Sequence, residues 1–253
     1  MLTEIEKSKI ITVPNSLEKK DLDLYGKKVM TAFKDGINLL YLDCAEILQV
    51  SSVHVNLLWE AISRGNDFQV KVKLVNANDS LKKVLKVLDL YEYFLGHDED
   101  KKASDNLSGT VKTEVSSKSL KLEFTTESIS VAQALAQLKQ FLKSLNLSRE
   151  HIIEIETLFY EVSTNIRMHS GMDKKEKMKF EAVTSSKGTI MTFIDSGIEF
   201  DLNKVDISYN PIRYMSNKSI SGLGLVMIRR MSDNLSYKRE NNKNILTLEK
   251  YWK

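Results

Sequence analysis

Three short stretches of the chain carry side chains able to do chemistry. Glu161, Asn165 and His169 recur at i, i+4 and i+8. They form one polar stripe on a helix whose other face is Ile155, Leu158, Phe159, Val162 and Ile166. Such a stripe is either a wet face or, in company with other polar elements, the wall of a site. Asp195-Ser196-Gly197 follows an apolar strand. There a carboxylate can accept from a ligand donor and glycine permits close backbone approach, although an ordinary Asp-x-Gly turn has the same letters. Ser221-Gly222-Leu223-Gly224-Leu225 runs into a helix that continues Val226-Met227-Ile228. Two glycines before a helix N-terminus offer free N–H groups and a positive dipole end, which suits phosphate.

The periodicity of the second half predicts elements that hold these stretches. A strand is expected at 120–124, a helix at 129–145, and a helix from Ser148 as N-cap to His169 with Glu150 in its first turn. A hairpin of 178–184 and 189–194 turns at 185–188, a helix covers 224–232, and a strand covers 244–251. This half reads as a two-layer α+β domain with mainly antiparallel strands. The first hundred residues alternate strands at 9–13, 37–43 and 69–75 with helices at 17–34, 53–65 and 78–94, Asn78 being an N-cap. That alternation predicts an α/β sandwich with largely parallel strands. Between the halves, HDEDKKASDNLSGTVKTEVSSK has too few apolar groups to offset the entropy of ordering. The expected division is therefore a domain at 1–96, a linker at 97–118 and a domain at 119–253.

Composition excludes several classes. With 253 residues, 42% hydrophobic and 28% charged, 10 Gly and 2 Pro, the chain is globular rather than fibrous or low-complexity. The net charge of +3 comes from scattered lysines without a basic stripe, so no nucleic-acid partner is expected. A single cysteine, Cys44, forms no internal disulfide, and no leader pattern opens the chain, so the expected compartment is the cytoplasm. No window approaches the roughly 18–20 consecutive apolar residues of a membrane span.

In order, Glu161-Val162-Ser163-Thr164-Asn165-Ile166-Arg167-Met168-His169-Ser170, Asp195-Ser196-Gly197 and Ser221-Gly222-Leu223-Gly224-Leu225 resemble the N, G1 and G2 boxes of the GHKL ATPase superfamily. The form of the first box, the short segment before the third and the compact end look most like the anti-sigma-factor serine kinases. The resemblance covers about residues 119–253 and implies a Bergerat fold that binds ATP and Mg²⁺. It implies that Glu161 is the general base toward a partner's serine hydroxyl and that Asn165 holds Mg²⁺. Asp195 would accept from the adenine amino group, Gly197 would let the backbone pass beneath the base, and Gly222 and Gly224 would offer N–H groups to the phosphates. A lid between Asp206 and Ser221 would be the most mobile part and close over nucleotide. Lys218 in that lid either meets the γ-phosphate or is a solvated surface lysine, and His169 is structural. Glu199 stands where the second box often has a further glycine, and Lys243-Asn244 stands where Gly-Thr usually precedes the last strand. Base contacts made from that last position are not carried over.

Leu39-Leu40-Tyr41-Leu42-Asp43, Val50-Ser51-Ser52-Val53 and the helices that follow resemble a STAS domain, the fold of anti-sigma-factor antagonists. In the family's acceptor loop, Asp-Ser-Ser/Thr-Gly, Ser51 takes the Asp place, Ser52 the phosphoacceptor place and His54 the Gly place. Ser52 is thus either a phosphoacceptor or a helix-capping serine. The expected protein is a partner-switching serine kinase acting on a STAS antagonist or sequestering a sigma factor, with pairing through the ATPase domain. The alternative is a non-catalytic, nucleotide-switched binding module in which the STAS-like domain regulates the ATPase domain in cis.

Overall fold

The structure, a computed structural model, describes residues 7–96, 117–201, 205, 209–211, 214 and 222–252. Two compact units account for it: residues 1–97 with 208–224, and residues 98–207 with 225–253. No helix among the described residues is long and apolar enough to cross a membrane.

The first unit alternates β1 (Ser8–Thr12), α1 (Lys19–Lys34), β2 (Leu39–Asp43), α2 (Ser52–Asp67), β3 (Lys71–Val75), α3 (Asp79–Val87) and α4 (Tyr91–Leu95). Its three strands form a parallel sheet in the order β1-β2-β3, as the strand–helix alternation predicts. The central strand is the most apolar. Leu40 and Leu42 are fully buried, as are Leu58 of α2 and Leu81 and Leu85 of α3. The single helix expected over 78–94 is in fact two. Asp89 adopts φ +54, its N–H bonds the Lys86 carbonyl at 3.0 Å, and the Leu90 N–H bonds the Leu85 carbonyl at 2.8 Å. This is a Schellman ending with an apolar Leu85–Leu90 pair, and its αL residue is an Asp, one of the few types that tolerate that conformation. Asn78 caps α3, accepting from the Leu81 N–H at 2.9 Å.

The start of α2 corrects the expectation for Ser52. The capping residue is Ser51, and Ser52 is the first helical residue, half-buried. Ser51 closes a capping box with His54, whose Nδ1 accepts the Ser51 N–H at 3.1 Å and lies 2.9 Å from its Oγ. Imidazole here replaces the usual Glu or Gln. Both residues are buried, and burial pushes the His54 pKa down to about 4 against the pull of the Pro14 and Asn15 carbonyls.

The second unit contains β4 (Lys118–Thr125), α5 (Ser128–Lys143), α6 (Arg149–His169), β5 (Lys177–Ser185), β6 (Gly188–Asp195), α7 (Leu223–Met231, whose last seven residues belong here), β7 (Asn234–Glu240) and β8 (Lys243–Tyr251). Its sheet is wholly antiparallel, in the order β4-β5-β6-β8-β7. One face of the sheet is covered by helices. Phe159 of α6 stands 4.8 Å from Phe180 of β5 and 5.9 Å from Phe193 of β6, and Phe124 of β4 joins this aromatic core. Met191, Phe193 and Asp195 share the buried phase of β6, so the period of the strand aims Asp195 into the layer that α6 occupies. This unit is a two-layer α/β sandwich. Strand β7 adds to the elements expected from the sequence, where NLSYKRE has only Leu235 and Tyr237 to signal an inward phase. It is an edge strand with every second residue exposed.

Candidate functional site

The first polar stripe is not a wet face. On α6, which Ser148 caps by accepting the His151 N–H at 3.2 Å, Glu161 is only 2% exposed, Asn165 is half-buried and His169 is exposed. A carboxylate taken this far out of water requires interaction partners. Among the described residues the buried Nδ2 of Asn165, by contrast, has no hydrogen-bond partner. An unsatisfied amide in the wall of a domain is unusual enough to point to a ligand.

The end of α6 is tied to the Asp195-Ser196-Gly197 turn. The Ile198 N–H donates to the Ser170 carbonyl at 2.8 Å, and the Gly197 N–H donates to Asp195 Oδ1 at 2.8 Å. A Cβ at position 197 would lie 2.4 Å from Ser170 Cβ and 2.7 Å from the Ser170 carbonyl oxygen. In this structure Gly197 is therefore required by the approach of the helix end. The same contact explains why a serine at the end of the first stretch and a glycine in the second go together.

The departure at Lys243-Asn244 proves to be part of this site. Asp195, Asn244 and Arg239 lie in one row across β6, β8 and β7. The Asn244 side chain, 5% exposed, donates through Nδ2 to Asp195 Oδ1 at 2.8 Å and to the Ile198 carbonyl at 2.9 Å. Its Oδ1 accepts from the Arg239 guanidinium at 2.5 Å and from the Tyr237 hydroxyl at 2.7 Å. The guanidinium also donates to the Gly197 carbonyl at 3.0 Å. Arg239 carries no signal in the sequence and Tyr237 only the faint inward phase of a weakly patterned edge strand; only the register brings them to Asn244 and, through it, to Asp195.

Glu161, Asn165, Asp195 and Gly197 all belong to the second unit. Gly222 and Gly224 fall in the stretch that groups with the first. Gly222 is exposed with φ +90 just before α7, and Gly224 is the second residue of that helix rather than a residue preceding it. Lys218, Ser221 and Asp206 lie outside the described residues. So does the expected lid, apart from 209–211 and 214. Among the described residues no group of three or more His, Cys, Asp or Glu could hold a metal ion. A cation here would rest on the Asn165 amide oxygen and on oxygens of a ligand, an arrangement that Mg²⁺ with phosphates accepts. The unpartnered Asn165 NH₂, a donor suited to a phosphate oxygen, and a carboxylate on which only Oδ1 takes a hydrogen bond from the described residues, fit a nucleotide.

Comparison with known proteins agrees. The Anti-sigma F factor of Clostridium kluyveri (strain ATCC 8527 / DSM 555) is 26% identical over 127 residues, 49% of this chain and 87% of that protein, and the same protein of strain NBRC 12016 matches equally. The crystal structure of the SiaB-SiaC complex from Pseudomonas aeruginosa aligns with 53% of this chain and 89% of its own at 13% identity. Its TM-score of 0.39 establishes no shared fold by itself. Residues 124–250, half of the chain, match the family described as histidine kinase-like ATPase domain, and the chain belongs to that family.

Proposed function

We propose that this chain is an ATP-binding, partner-switching regulator whose second domain is a serine kinase of the anti-sigma-factor type, acting on a STAS antagonist or holding a sigma factor. The observation that carries the reading is the buried Glu161 one turn from the unpartnered Asn165 amide in a domain of this ATPase family. The likeness to the Anti-sigma F factor supports the choice of partner class. When bound, Mg-ATP supplies the transferable phosphoryl group and its charge-bridging cation. Asp195 accepts the base's amine, Asn165 holds the cation, the N–H groups at Gly222 and Gly224 receive phosphate, and Lys218 adds a cation to it. Glu161 takes the proton of the partner's serine hydroxyl. The division 1–96, 97–118 and 119–253, a STAS identity for the first part, pairing through the ATPase domain and a cytoplasmic setting complete the proposal.

Equilibrium binding of ADP and ATP, with and without Mg²⁺, tests it. Gly197 and Asn244 already donate to Asp195 Oδ1, so in Asp195→Asn the amide oxygen stays there and the NH₂ replaces Oδ2, turning an acceptor into a donor. Affinity is expected to fall roughly 10–100-fold, the worth of a hydrogen bond to a charged group. Asn165→Ala is expected to remove the Mg²⁺ dependence. Absence of binding in the parent, or indifference to both substitutions, would remove the reading.

One observation favours control in cis as a second reading. In the first unit, Tyr214 is buried, its hydroxyl donates to Asn56 Oδ1 of α2 at 2.8 Å, and its ring lies 6.4 Å from Trp59. Burial raises the Tyr214 pKa, so the hydroxyl remains a donor. The Tyr209 hydroxyl donates to the Leu88 carbonyl at 2.9 Å. These tyrosines stand in sequence between Asp195-Ser196-Gly197 and the two glycines, so two residues from between the boxes are bonded within the first unit. Asn56→Ala, outside the ATPase domain, and Tyr214→Ala are each expected to change the nucleotide exchange rate several-fold in the same direction. Unchanged exchange in both would remove this reading. Under it Ser52 is the candidate acceptor, which phosphopeptide mapping checks.

A further inference from the structure

Asn244 uses its whole hydrogen-bonding capacity on the protein. Arg239 can only donate, so the amide atom facing it is oxygen and the NH₂ faces the carboxylate and the Ile198 carbonyl; the orientation is forced by chemistry. Both N–H bonds and both oxygen lone pairs are then engaged, which leaves nothing for a ligand. Asp195 is correspondingly half-used. Oδ1 receives two donors, from Gly197 and Asn244, and Oδ2 has no hydrogen bond from a described residue. Asp195 and Asn244 are both more than nine-tenths buried, so a free rotation of the carboxylate would leave buried donors unmet.

We propose that Asn244, locked by Arg239 and Tyr237, is a positioning residue that makes Asp195 a one-oxygen acceptor and so selects nucleotides whose base carries an exocyclic amine over those with a carbonyl at that place. The inference rests on the reading of Asp195 as the base's acceptor. It goes further, because it assigns the specificity to a row of three strands and to an asparagine that itself touches no ligand. An amine offers a hydrogen to Oδ2; a carbonyl oxygen in its place meets a carboxylate oxygen with no hydrogen between them, which is repulsive. That contrast lasts only while Asp195 stays fixed.

The test measures the affinities of the full chain for ADP and for inosine diphosphate, which carries oxygen where adenine carries the amine, at several pH values. The parent is expected to prefer ADP by roughly 10-fold or more. Asn244→Asp is nearly isosteric and sets a second carboxylate against Asp195. The pair then shares a proton, Asp195 gains donor character, and the preference is expected to shrink several-fold and to become pH-dependent. Asn244→Ala frees the carboxylate and is expected to lower the preference as well, and Tyr237→Phe to lower it slightly, thermal unfolding confirming that each variant folds. A merely structural asparagine would change stability and leave the ADP-to-inosine-diphosphate ratio alone. If Asp195→Asn loses ADP while both Asn244 variants keep the parental ratio at every pH, the inference is overturned and the nucleotide site stands. If the parent binds neither nucleotide, or Asp195→Asn changes nothing, the site itself is overturned and the inference goes with it.

Discussion

Glu161→Gln is expected to leave ADP and ATP affinity within about a factor of two and to slow phosphoryl transfer to a STAS partner by roughly 10²–10⁴-fold, the range that a positioned general base contributes. The substitution keeps size and shape at a position only 2% exposed, turns one carboxylate acceptor into an NH₂ donor and removes the ability to take a proton. It therefore separates chemistry from binding, which Glu161→Ala would not, since truncation there opens a cavity behind α6. Asp195 and Asn165, the residues proposed to serve the nucleotide, are untouched. Incorporation of radiolabelled phosphate into the partner, beside calorimetric nucleotide binding, reads both quantities. Parental transfer rates in Glu161→Gln would make the chain a kinase without this base. Absence of transfer in the parent, with tight nucleotide binding, would leave the nucleotide-switched binding module.

What the sequence discloses about this molecule follows from how local each signal is. Glu161, Asn165, Asp195 and Gly197 are legible because each box is a run of adjacent residues whose spacing alone puts it on a helix face or a strand end. The apolar strands are legible for the same reason, and both sheets pair as the patterns imply, parallel in the first unit and antiparallel in the second. The break inside 78–94 is hidden because Leu88 and Leu90 are both buried and Asp89 is no strong breaker; the αL turn wins by seating both leucines in the core. Arg239 and Asn244 are hidden for a different reason. Their meaning lies in a register shared with Asp195, some forty to fifty positions away along the chain, and no short window contains it. The capping role of Ser51 is hidden for want of one fact, that His54 supplies the other half of the capping box.

That box makes the first unit sensitive to acid. An unfolded histidine titrates near 6.5, and His54 is held at about 4. The folded state thus refuses a proton that the unfolded chain accepts between those values. Its contribution to stability is complete above pH 6.5, declines as pH falls and is gone below about 4. The size is about 3 kcal/mol, because a tenfold change in proton affinity corresponds to about 1.36 kcal/mol. Protonation would in addition force a hydrogen onto Nδ1, the atom that accepts from the Ser51 N–H, and open the cap. The two tryptophans make the measurement selective. With Trp252→Phe, fluorescence reports on Trp59, which packs against Phe94 in the first unit. Urea unfolding followed in this way is expected to lose stability from pH 6.5 downward with a slope approaching one proton. In His54→Gln, which can still accept from Ser51 but does not titrate, that component of the slope is expected to vanish while the slope from the carboxylates, common to both proteins, remains. Identical slopes in the two proteins would mean that His54 takes up its proton as readily in the fold as in the unfolded chain, and that the capping box does not depend on a neutral imidazole.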